Sequence, residues 1–172
     1  MKNRAIFLDR DGVLNKAIIR EGKPYPPSDI SELQICEGVE KGLNLLRSKG
    51  FLLIVVTNQP DASRGKTTIN EIEAINNHLM DLLPLDEIYT CFHDNADNCF
   101  CRKPKPGMII NCAKKRNIDL SKSYIIGDRK NDIEAGILAG CKTIFIDYNY
   151  NEPKPEKYNL KVSSVLMASM QI

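Results

Sequence analysis

The sequence contains no long apolar run, no marked excess of one charge and no repeated or low-complexity segment. No stretch approaches the roughly 20 apolar residues that cross a bilayer, and no apolar region of a secretory signal precedes the first short apolar run. The formal net charge is +2, from 24 basic and 22 acidic residues, which gives no electrostatic reason to expect nucleic acid or a membrane as a partner. We therefore expect a cytoplasmic protein that acts on a small molecule.

The periodicity of the 172 residues predicts one α/β domain that spans residues 1–172. Short apolar runs, typical of buried strands, lie at residues 5–8, 51–56, 87–91, 123–126 and 143–146. Segments with helical spacing of apolar residues lie between Gly38 and Gly50 and at residues 68–83, 107–116 and 132–139. This alternation predicts a parallel sheet with right-handed crossovers, and therefore a Rossmann-like three-layer sandwich. We expect the chain to be a monomer.

A small hairpin is predicted soon after the first strand. Glu21 and Gly22 separate two short segments, residues 17–20 and 23–25, and the second segment ends at two prolines. Because the hairpin follows the end of the first strand closely, we expect it to form a flap over that end of the sheet. The last residues are predicted to add one strand and one short helix.

Two carboxylates follow the first predicted strand. Asp9 and Asp11 flank Arg10 and precede Gly12, where the chain leaves the sheet. In an open α/β sheet, ligands bind at this carboxyl edge. Two close carboxylates repel each other, so they either share a proton or bind a hard cation such as Mg²⁺. Both alternatives predict an active site.

Polar side chains also follow the later strands, at the same edge of the predicted sheet. They are Thr57 and Asn58 after the second strand, Arg102 and Lys103 after the third, and Asp128 and Asp132 after the fourth. Carboxylates, cations and a hydroxyl at one rim fit phosphoryl chemistry, because phosphate ester hydrolysis depends on positioning and charge neutralisation. An aspartate can attack phosphorus, and a second carboxyl can serve as acid and base.

A cluster of sulfur and nitrogen donors lies just before these two cations. Cys91, His93, Cys99 and Cys101 place three thiols and one imidazole within eleven residues. This set predicts a tetrahedral Zn²⁺ site, and four protein ligands leave no open position, so the site would be structural. The alternative is that Cys91 belongs to the core and the other cysteines are free thiols. A zinc site here would fix the base of the segment that carries the cations.

The ordered motifs resemble those of the haloacid dehalogenase superfamily, in its aspartate-nucleophile phosphatase branch. They are Asp9-Arg10-Asp11-Gly12, Thr57, Lys103, and Gly127-Asp128 with Asp132. The resemblance implies that Asp9 is the nucleophile and Asp11 the general acid and base. It implies that Mg²⁺ is held by the Asp9 carboxylate, the Asp11 carbonyl and the Asp128 carboxylate, with Asp132 acting through water.

The resemblance also assigns roles to the remaining polar residues. It implies that Thr57 and Asn58 bind the phosphate, while Lys103 neutralises both the nucleophile and the phosphate. The zinc loop, Thr57-Asn58-Gln59 and Cys101-Arg102-Lys103-Pro104 resemble a smaller group within the superfamily. This capless group contains histidinol-phosphate phosphatases and D-glycero-D-manno-heptose-1,7-bisphosphate 7-phosphatases, which implies that no large cap domain is present. In the heptose enzymes, the residue matching Arg102 contributes to substrate recognition.

Within this group the sequence favours the heptose bisphosphate. Histidinol-phosphate phosphatases of the group are often fused to a dehydratase domain, and these residues include no second domain. The resemblance then implies magnesium-dependent removal of the 7-phosphate through an aspartyl-phosphate intermediate, in nucleotide-activated heptose biosynthesis. Three alternatives stay open: a phosphatase for histidinol phosphate or another small metabolite, a phosphatase for nucleic-acid 3'-phosphate ends, and a non-catalytic zinc-stabilised binding module.

Overall fold

A six-stranded parallel sheet forms the centre of the molecule, and the computed structural model describes residues 2–172. The strands are β1 (Arg4–Leu8), β2 (Ile18–Arg20), β3 (Lys23–Tyr25), β4 (Phe51–Asn58), β5 (Glu87–Cys91), β6 (Tyr124–Gly127), β7 (Lys142–Ile146) and β8 (Leu160–Val162). The helices are α1 (Val39–Ser48), α2 (Ile69–Leu82), α3 (Gly107–Lys115), α4 (Lys130–Ala139) and α5 (Val165–Gln171). The strand order β5-β4-β1-β6-β7-β8 places β1 between β4 and β6.

Helices cover both faces of the sheet, which confirms the predicted three-layer sandwich. In β1, Ile6 and Leu8 point to one face and pack in the apolar cluster that includes side chains of α1, α2 and α5. Ala5 and Phe7 point to the opposite face and pack in the cluster that includes side chains of α3 and α4. Because both faces are buried, the central strands are apolar at successive positions, as expected for a parallel sheet.

The start of α4 differs from the prediction and changes the position of a candidate residue. The helix begins at Lys130, two residues before the predicted start at Asp132. Asp132 therefore lies in the first helical turn, and its carboxylate accepts a hydrogen bond of 3.0 Å from the backbone N–H of Arg129. A carboxylate is stabilised there by the free N–H groups and the dipole of the helix amino terminus.

The hairpin and the carboxyl-terminal elements agree with the prediction. Strands β2 and β3 pair in antiparallel orientation, and β8 and α5 complete the chain. The segment before β8 reaches the hairpin, where Asn151 N donates to Gly22 O at 2.8 Å. Within residues 2–172, no helix combines the length and the apolar character that a membrane crossing requires.

Candidate active site

Three carboxylates meet at the carboxyl edge of the sheet. Asp9 follows β1, Asp128 follows β6, and Asp132 lies in the first turn of α4. Each of the three is buried, and one carboxylate oxygen from each lies within 4.8 Å of the others. The adjacency of β1 and β6 explains why residues distant in the chain come together here.

Lys103 forms ion pairs with two of these carboxylates. Its Nζ lies 2.7 Å from Asp9 Oδ1 and 2.6 Å from Asp132 Oδ1, and it donates to Val56 O at 2.7 Å. The Lys103 side chain is only 3% exposed. Burial alone would lower the pKa of Lys103, but the charges of Asp132 and Asp9 outweigh it and raise that pKa above its ordinary value.

Asp128 has no such partner. Among residues 2–172, no hydrogen bond of normal geometry reaches either of its carboxylate oxygens, although the Tyr150 hydroxyl is close enough to act against the rise in its pKa. Burial, followed by the charges of Asp9 and Asp132, raises the pKa of Asp128 well above its ordinary range. Burial and the Asp132 charge likewise raise the pKa of Asp9 to about 6, although Lys103 acts in the opposite direction. Crowded acidic oxygens with free lone pairs are the donor set that a hard divalent cation such as Mg²⁺ takes, so the residues fit such an ion.

The turn after β1 brings Asp128 unusually close to the backbone. Gly12 has φ +87°, and a Cβ atom built on it would lie 1.9 Å from Asp128 Oδ2. Glycine is required here for both reasons, the left-handed backbone and the lack of space. The approach holds Asp128 directly against the loop that carries Asp11.

The carboxylate of Asp11 does not join the cluster of three. It accepts hydrogen bonds from Arg10 Nε and Nη2, both at 3.2 Å, from Asn15 Nδ2 at 3.0 Å and from Gln59 Nε2 at 2.7 Å. The side chain keeps 15% of its surface exposed and lines the cavity above the cluster. Asp11 is therefore held beside the three carboxylates by its own set of donors.

The two polar residues at the end of β4 have different surroundings. Thr57 is buried, and its hydroxyl accepts a hydrogen bond from Gln59 Nε2 at 2.9 Å. Asn58 pairs in both directions with the backbone of Lys103, donating to its carbonyl at 2.9 Å and accepting from its N–H at 3.0 Å. Asn58 lines the cavity, but its amide is engaged in positioning Lys103. The sequence motif Thr57-Asn58-Gln59 includes Gln59, but no role was predicted for it, although its place two residues after Thr57 puts it on the same side of the chain.

The four predicted zinc ligands lie together at the end of β5. The Sγ atoms of Cys91, Cys99 and Cys101 are 3.2 to 3.7 Å apart, and His93 Nδ1 lies 3.3 Å from Cys101 Sγ. Ligands about 2.1–2.3 Å from a tetrahedral Zn²⁺ are about 3.4–3.8 Å from one another. Burial raises the pKa of Cys91 to about 12, while hydrogen bonds from Cys101 and the Arg102 backbone overcome burial and lower that of Cys99 to about 7. The geometry suits one metal ion.

A cavity of about 360 Å³ opens above the carboxylates. Its floor includes Asp9 and Lys103, and the predicted flap contributes part of its wall. Five cations line it, namely Lys23, Arg64, Arg102, Lys103 and Arg129, together with five carboxylates, namely Asp9, Asp11, Asp61, Asp132 and Glu152. Its volume lies at the lower end of the range for small-molecule sites, and its lining is strongly polar. The cavity thus fits a small phosphorylated compound.

The wall cations differ in their partners. Arg64 forms a bidentate salt bridge with Asp94, with N–O distances of 2.6 and 2.8 Å, and Arg129 forms an equivalent salt bridge with Glu152. Arg102 instead donates to neutral acceptors, Asn95 Oδ1 at 2.8 Å and the carbonyl of His93 at 3.1 Å. The charge of Arg102 is therefore less compensated than that of the other two arginines.

Known proteins resemble this chain in sequence and in fold. The model of the haloacid dehalogenase-like hydrolase family matches residues 27–140. The chain is 38% identical over 146 residues to a D-glycero-beta-D-manno-heptose-1,7-bisphosphate 7-phosphatase of Helicobacter pylori, with 81% of each chain covered. It is 31% identical over 161 residues to a D-glycero-alpha-D-manno-heptose-1,7-bisphosphate 7-phosphatase of Campylobacter jejuni, covering 91% of this chain and 87% of that protein.

A solved structure shows the same architecture. The D,D-heptose 1.7-bisphosphate phosphatase from B. bronchiseptica, crystallised with magnesium and phosphate, matches with a TM-score of 0.84 at 24% identity. The match covers 98% of this chain and 97% of that one. The likeness confirms the fold, and the family match together with the relatives confirms the resemblance inferred from the motifs. The chain belongs to the haloacid dehalogenase-like hydrolases.

Proposed function

We propose that this protein is a magnesium-dependent phosphatase that removes the 7-phosphate of D-glycero-D-manno-heptose 1,7-bisphosphate, in nucleotide-activated heptose biosynthesis. The observation that carries the proposal is the buried Asp128 carboxylate, which lies without a hydrogen bond of normal geometry among residues 2–172 and next to Asp9, whose ion pair with Lys103 lines the polar cavity. The names of the relatives in Helicobacter pylori and Campylobacter jejuni support the substrate class.

In the first chemical step, Asp9 is the nucleophile. One of its carboxylate oxygens attacks phosphorus, the ester P–O bond breaks, and the leaving oxygen takes a proton from the Asp11 carboxyl. Lys103 offsets negative charge on Asp9 and the phosphoryl group, and the Thr57 hydroxyl donates to a phosphoryl oxygen. Held by Asp9, Asp128 and the Asp11 carbonyl, Mg²⁺ would supply further charge neutralisation at the phosphoryl oxygens.

In the second step, Asp11 acts as a base. Its carboxylate takes a proton from water as the water oxygen attacks the phosphorus of the aspartyl phosphate. The P–O bond to Asp9 then breaks, which releases inorganic phosphate and regenerates the Asp9 carboxylate. Splitting hydrolysis into two displacements replaces one very slow reaction by two easier ones.

We further propose that Cys91, His93, Cys99 and Cys101 hold a structural Zn²⁺. The spacing of the donors supports this assignment, because four protein ligands complete a tetrahedral shell. The segment also supports a cavity wall, since the carbonyl of His93 accepts a hydrogen bond from Arg102. A metal at this point would fix the position of that arginine.

Among the three arginines of the wall, Arg102 is the one best suited to recognise a second charged group of the substrate. Its guanidinium has neutral partners, so a phosphate gains a charge-assisted contact without displacing a carboxylate. In Arg64, by contrast, such a contact would compete with Asp94. Arg102→Ala should therefore raise KM for a bisphosphate more than for the corresponding monophosphate, and Arg64→Ala is the matched comparison.

A substrate panel tests the proposed activity. Phosphate release would be measured with Mg²⁺ for both anomers of the heptose bisphosphate, a heptose monophosphate, histidinol phosphate and a 3'-phosphorylated oligonucleotide, with Asp9→Asn as the inactive control. We expect the highest kcat/KM for a heptose bisphosphate. A clear preference for histidinol phosphate would show that the heptose bisphosphate is not the substrate. The absence of any Mg²⁺-dependent phosphate release would contradict the proposed phosphatase activity.

We also propose that the protein acts as a single domain, as a monomer and in the cytoplasm. The continuous sheet from β5 to β8 supports the single domain. Size-exclusion chromatography with light scattering should give the mass of one chain at micromolar concentration. A mass of two chains would contradict the monomer.

A further inference from the structure

A buried arginine lies behind the acidic motif and has no role in the steps described so far. Arg10 has no exposed surface, and it is the largest of the fully buried side chains between residues 2 and 172. Its Nε and Nη2 atoms donate to the two oxygens of Asp11 in a fork, both at 3.2 Å. A guanidinium in this geometry fixes both the position and the plane of a carboxylate.

The guanidinium is itself held from the opposite side. Its Nη1 atom donates to Asn76 Oδ1 at 3.0 Å, and Asn76 Nδ2 donates to the hydroxyl of Thr90 at 3.0 Å. Asn76 lies on α2 and Thr90 on β5, so neither belongs to the loops that form the site. Asn76 is 8% exposed and lies beside Ile75 on the buried side of its helix. A chain of hydrogen bonds thus runs from Thr90 to Asp11.

We propose that Asn76 is a positioning residue for the acid–base step, because it orients the Asp11 carboxylate through Arg10. This inference rests on the proposed role of Asp11. Without Asn76 Oδ1, one N–H group of a fully buried guanidinium loses its acceptor, and the guanidinium turns to find another. Because the fork moves with it, only Asn15 and Gln59 then hold the Asp11 oxygens, and the plane of the carboxylate turns away from the leaving-group oxygen.

The leaving group provides a test that a loss of stability would not imitate. An alkoxide leaves a sugar phosphate only as it takes the proton from Asp11, whereas p-nitrophenolate leaves as a stable anion without one. In both cases kcat/KM reports the transfer of the phosphoryl group to Asp9, provided that this transfer is irreversible. A defect in proton donation therefore lowers kcat/KM for the sugar phosphate alone, and a general disturbance of the site lowers both.

The variants are Asn76→Ala and Thr90→Val, with Asn77→Ala as the matched control on the exposed side of the same helix. General acid catalysis contributes about 10²- to 10⁴-fold, so a misdirected carboxyl in Asn76→Ala should lower kcat/KM for the sugar phosphate about tenfold or more. The value for p-nitrophenyl phosphate should change less than about twofold, and Asn77→Ala should change neither. Thr90→Val keeps the shape of the side chain and should lower kcat/KM for the sugar phosphate selectively, but by a smaller factor than Asn76→Ala. This variant keeps the test valid if Asn76→Ala folds poorly.

Asp11→Asn separates this proposal from the mechanism on which it depends. Asp11→Asn should itself show the loss that is selective for the sugar phosphate, and adding Asn76→Ala to it should change the ratio of the two kcat/KM values no further. Equal losses for both substrates in Asn76→Ala and Thr90→Val would overturn the positioning role alone. An Asp11→Asn variant without substrate selectivity would overturn the acid–base role of Asp11, and the positioning role with it.

Discussion

Replacing Asp128 tests whether this buried carboxylate binds a metal ion or instead stabilises the fold. The side chain is buried without a hydrogen-bond partner among residues 2–172, next to two other carboxylates. Asp128→Asn keeps the shape of the side chain and removes its charge. We therefore expect the metal-free variant to be more stable than the parent, although most substitutions of buried residues destabilise a protein.

The size of the effect follows from the charge alone, because the Asn amide is buried in the same surroundings as the carboxylate that it replaces. Burial and the charges of Asp9 and Asp132 disfavour the ionised form of Asp128, and each unit by which they raise its pKa corresponds to about 1.4 kcal/mol. Asp128→Asn should then raise the free energy of unfolding of the metal-free protein by about 1–3 kcal/mol. For a domain of this size, 1 kcal/mol shifts Tm by about 2–4 °C, so the rise in Tm is about 2–12 °C. The variant also loses a ligand of the proposed Mg²⁺, so added Mg²⁺ should stabilise it far less than the parent.

The assay is thermal unfolding followed by circular dichroism at neutral pH. Both proteins would be dialysed into Mg²⁺-free buffer with stoichiometric Zn²⁺ present, and then measured with and without millimolar MgCl₂. Asp81→Asn, an exposed change on α2, is the control and should alter neither value. A metal-free Asp128→Asn protein with a lower Tm than the parent, or with an undiminished response to Mg²⁺, would refute the reasoning.

The same measurement has an expected pH dependence in the parent protein. The pKa of Asp9 is raised from its ordinary value of 3.8 to about 6. A raised pKa in the folded state contributes stability that is complete below the unfolded value and is lost as the pH rises through about 6. For Asp9 this loss amounts to about 3 kcal/mol. Because Mg²⁺ binds ionised carboxylates, the rise in Tm that it produces should grow as the pH increases over this interval.

Further changes test the other parts of the site. Asp9→Asn should abolish turnover and the phosphoenzyme detected by rapid quench, while the far-ultraviolet circular dichroism spectrum stays unchanged. Retained turnover would contradict the role of Asp9 as nucleophile. Lys103→Met leaves Asp9 and Asp132 without their cation and should cost about 3–5 kcal/mol in denaturant titration, and an unchanged midpoint would argue against the buried pair. Asn58→Ala frees the backbone of Lys103 and should lower kcat more than it raises KM; a pure KM effect would favour direct phosphate binding by Asn58. A strong zinc chelator should lower Tm and raise KM, whereas an indifferent Tm would count against zinc.

The sequence was sufficient to predict which strand ends come together at the candidate site. In a parallel sheet every strand delivers its following residues to the same edge, so Asp9, Thr57 and Asp128 converge once the strands are recognised. The donors from Cys91 to Cys101 were predictable for a different reason, since all four lie in one short segment. In both cases the prediction depends on local patterns and on one general rule of topology.

The side-chain contacts around Asp11 were not predictable in this way. Arg10 meets Asn76 across 66 positions of sequence, and Gln59 meets Asp11 across 48. Their pairing depends on how α2 and the turn after β4 pack, which no local pattern specifies. The one signal in the sequence is that Asn76 follows Ile75 on the apolar side of a predicted helix, where a buried amide requires a polar partner.

Asp128 and Asp132 look equivalent in the sequence, but their surroundings separate their roles. Asp132 Oδ1 contacts Lys103 at 2.6 Å and Oδ2 accepts from Arg129 N at 3.0 Å, so both of its oxygens are engaged. Among residues 2–172, neither oxygen of Asp128 has a hydrogen bond of normal geometry, and the only donor close enough to affect its pKa by a hydrogen bond is the neutral Tyr150 hydroxyl. A carboxylate with free lone pairs binds a cation without first breaking a hydrogen bond. The geometry thus favours Asp128 as the direct ligand of the proposed Mg²⁺, while Asp132 holds Lys103 beside Asp9.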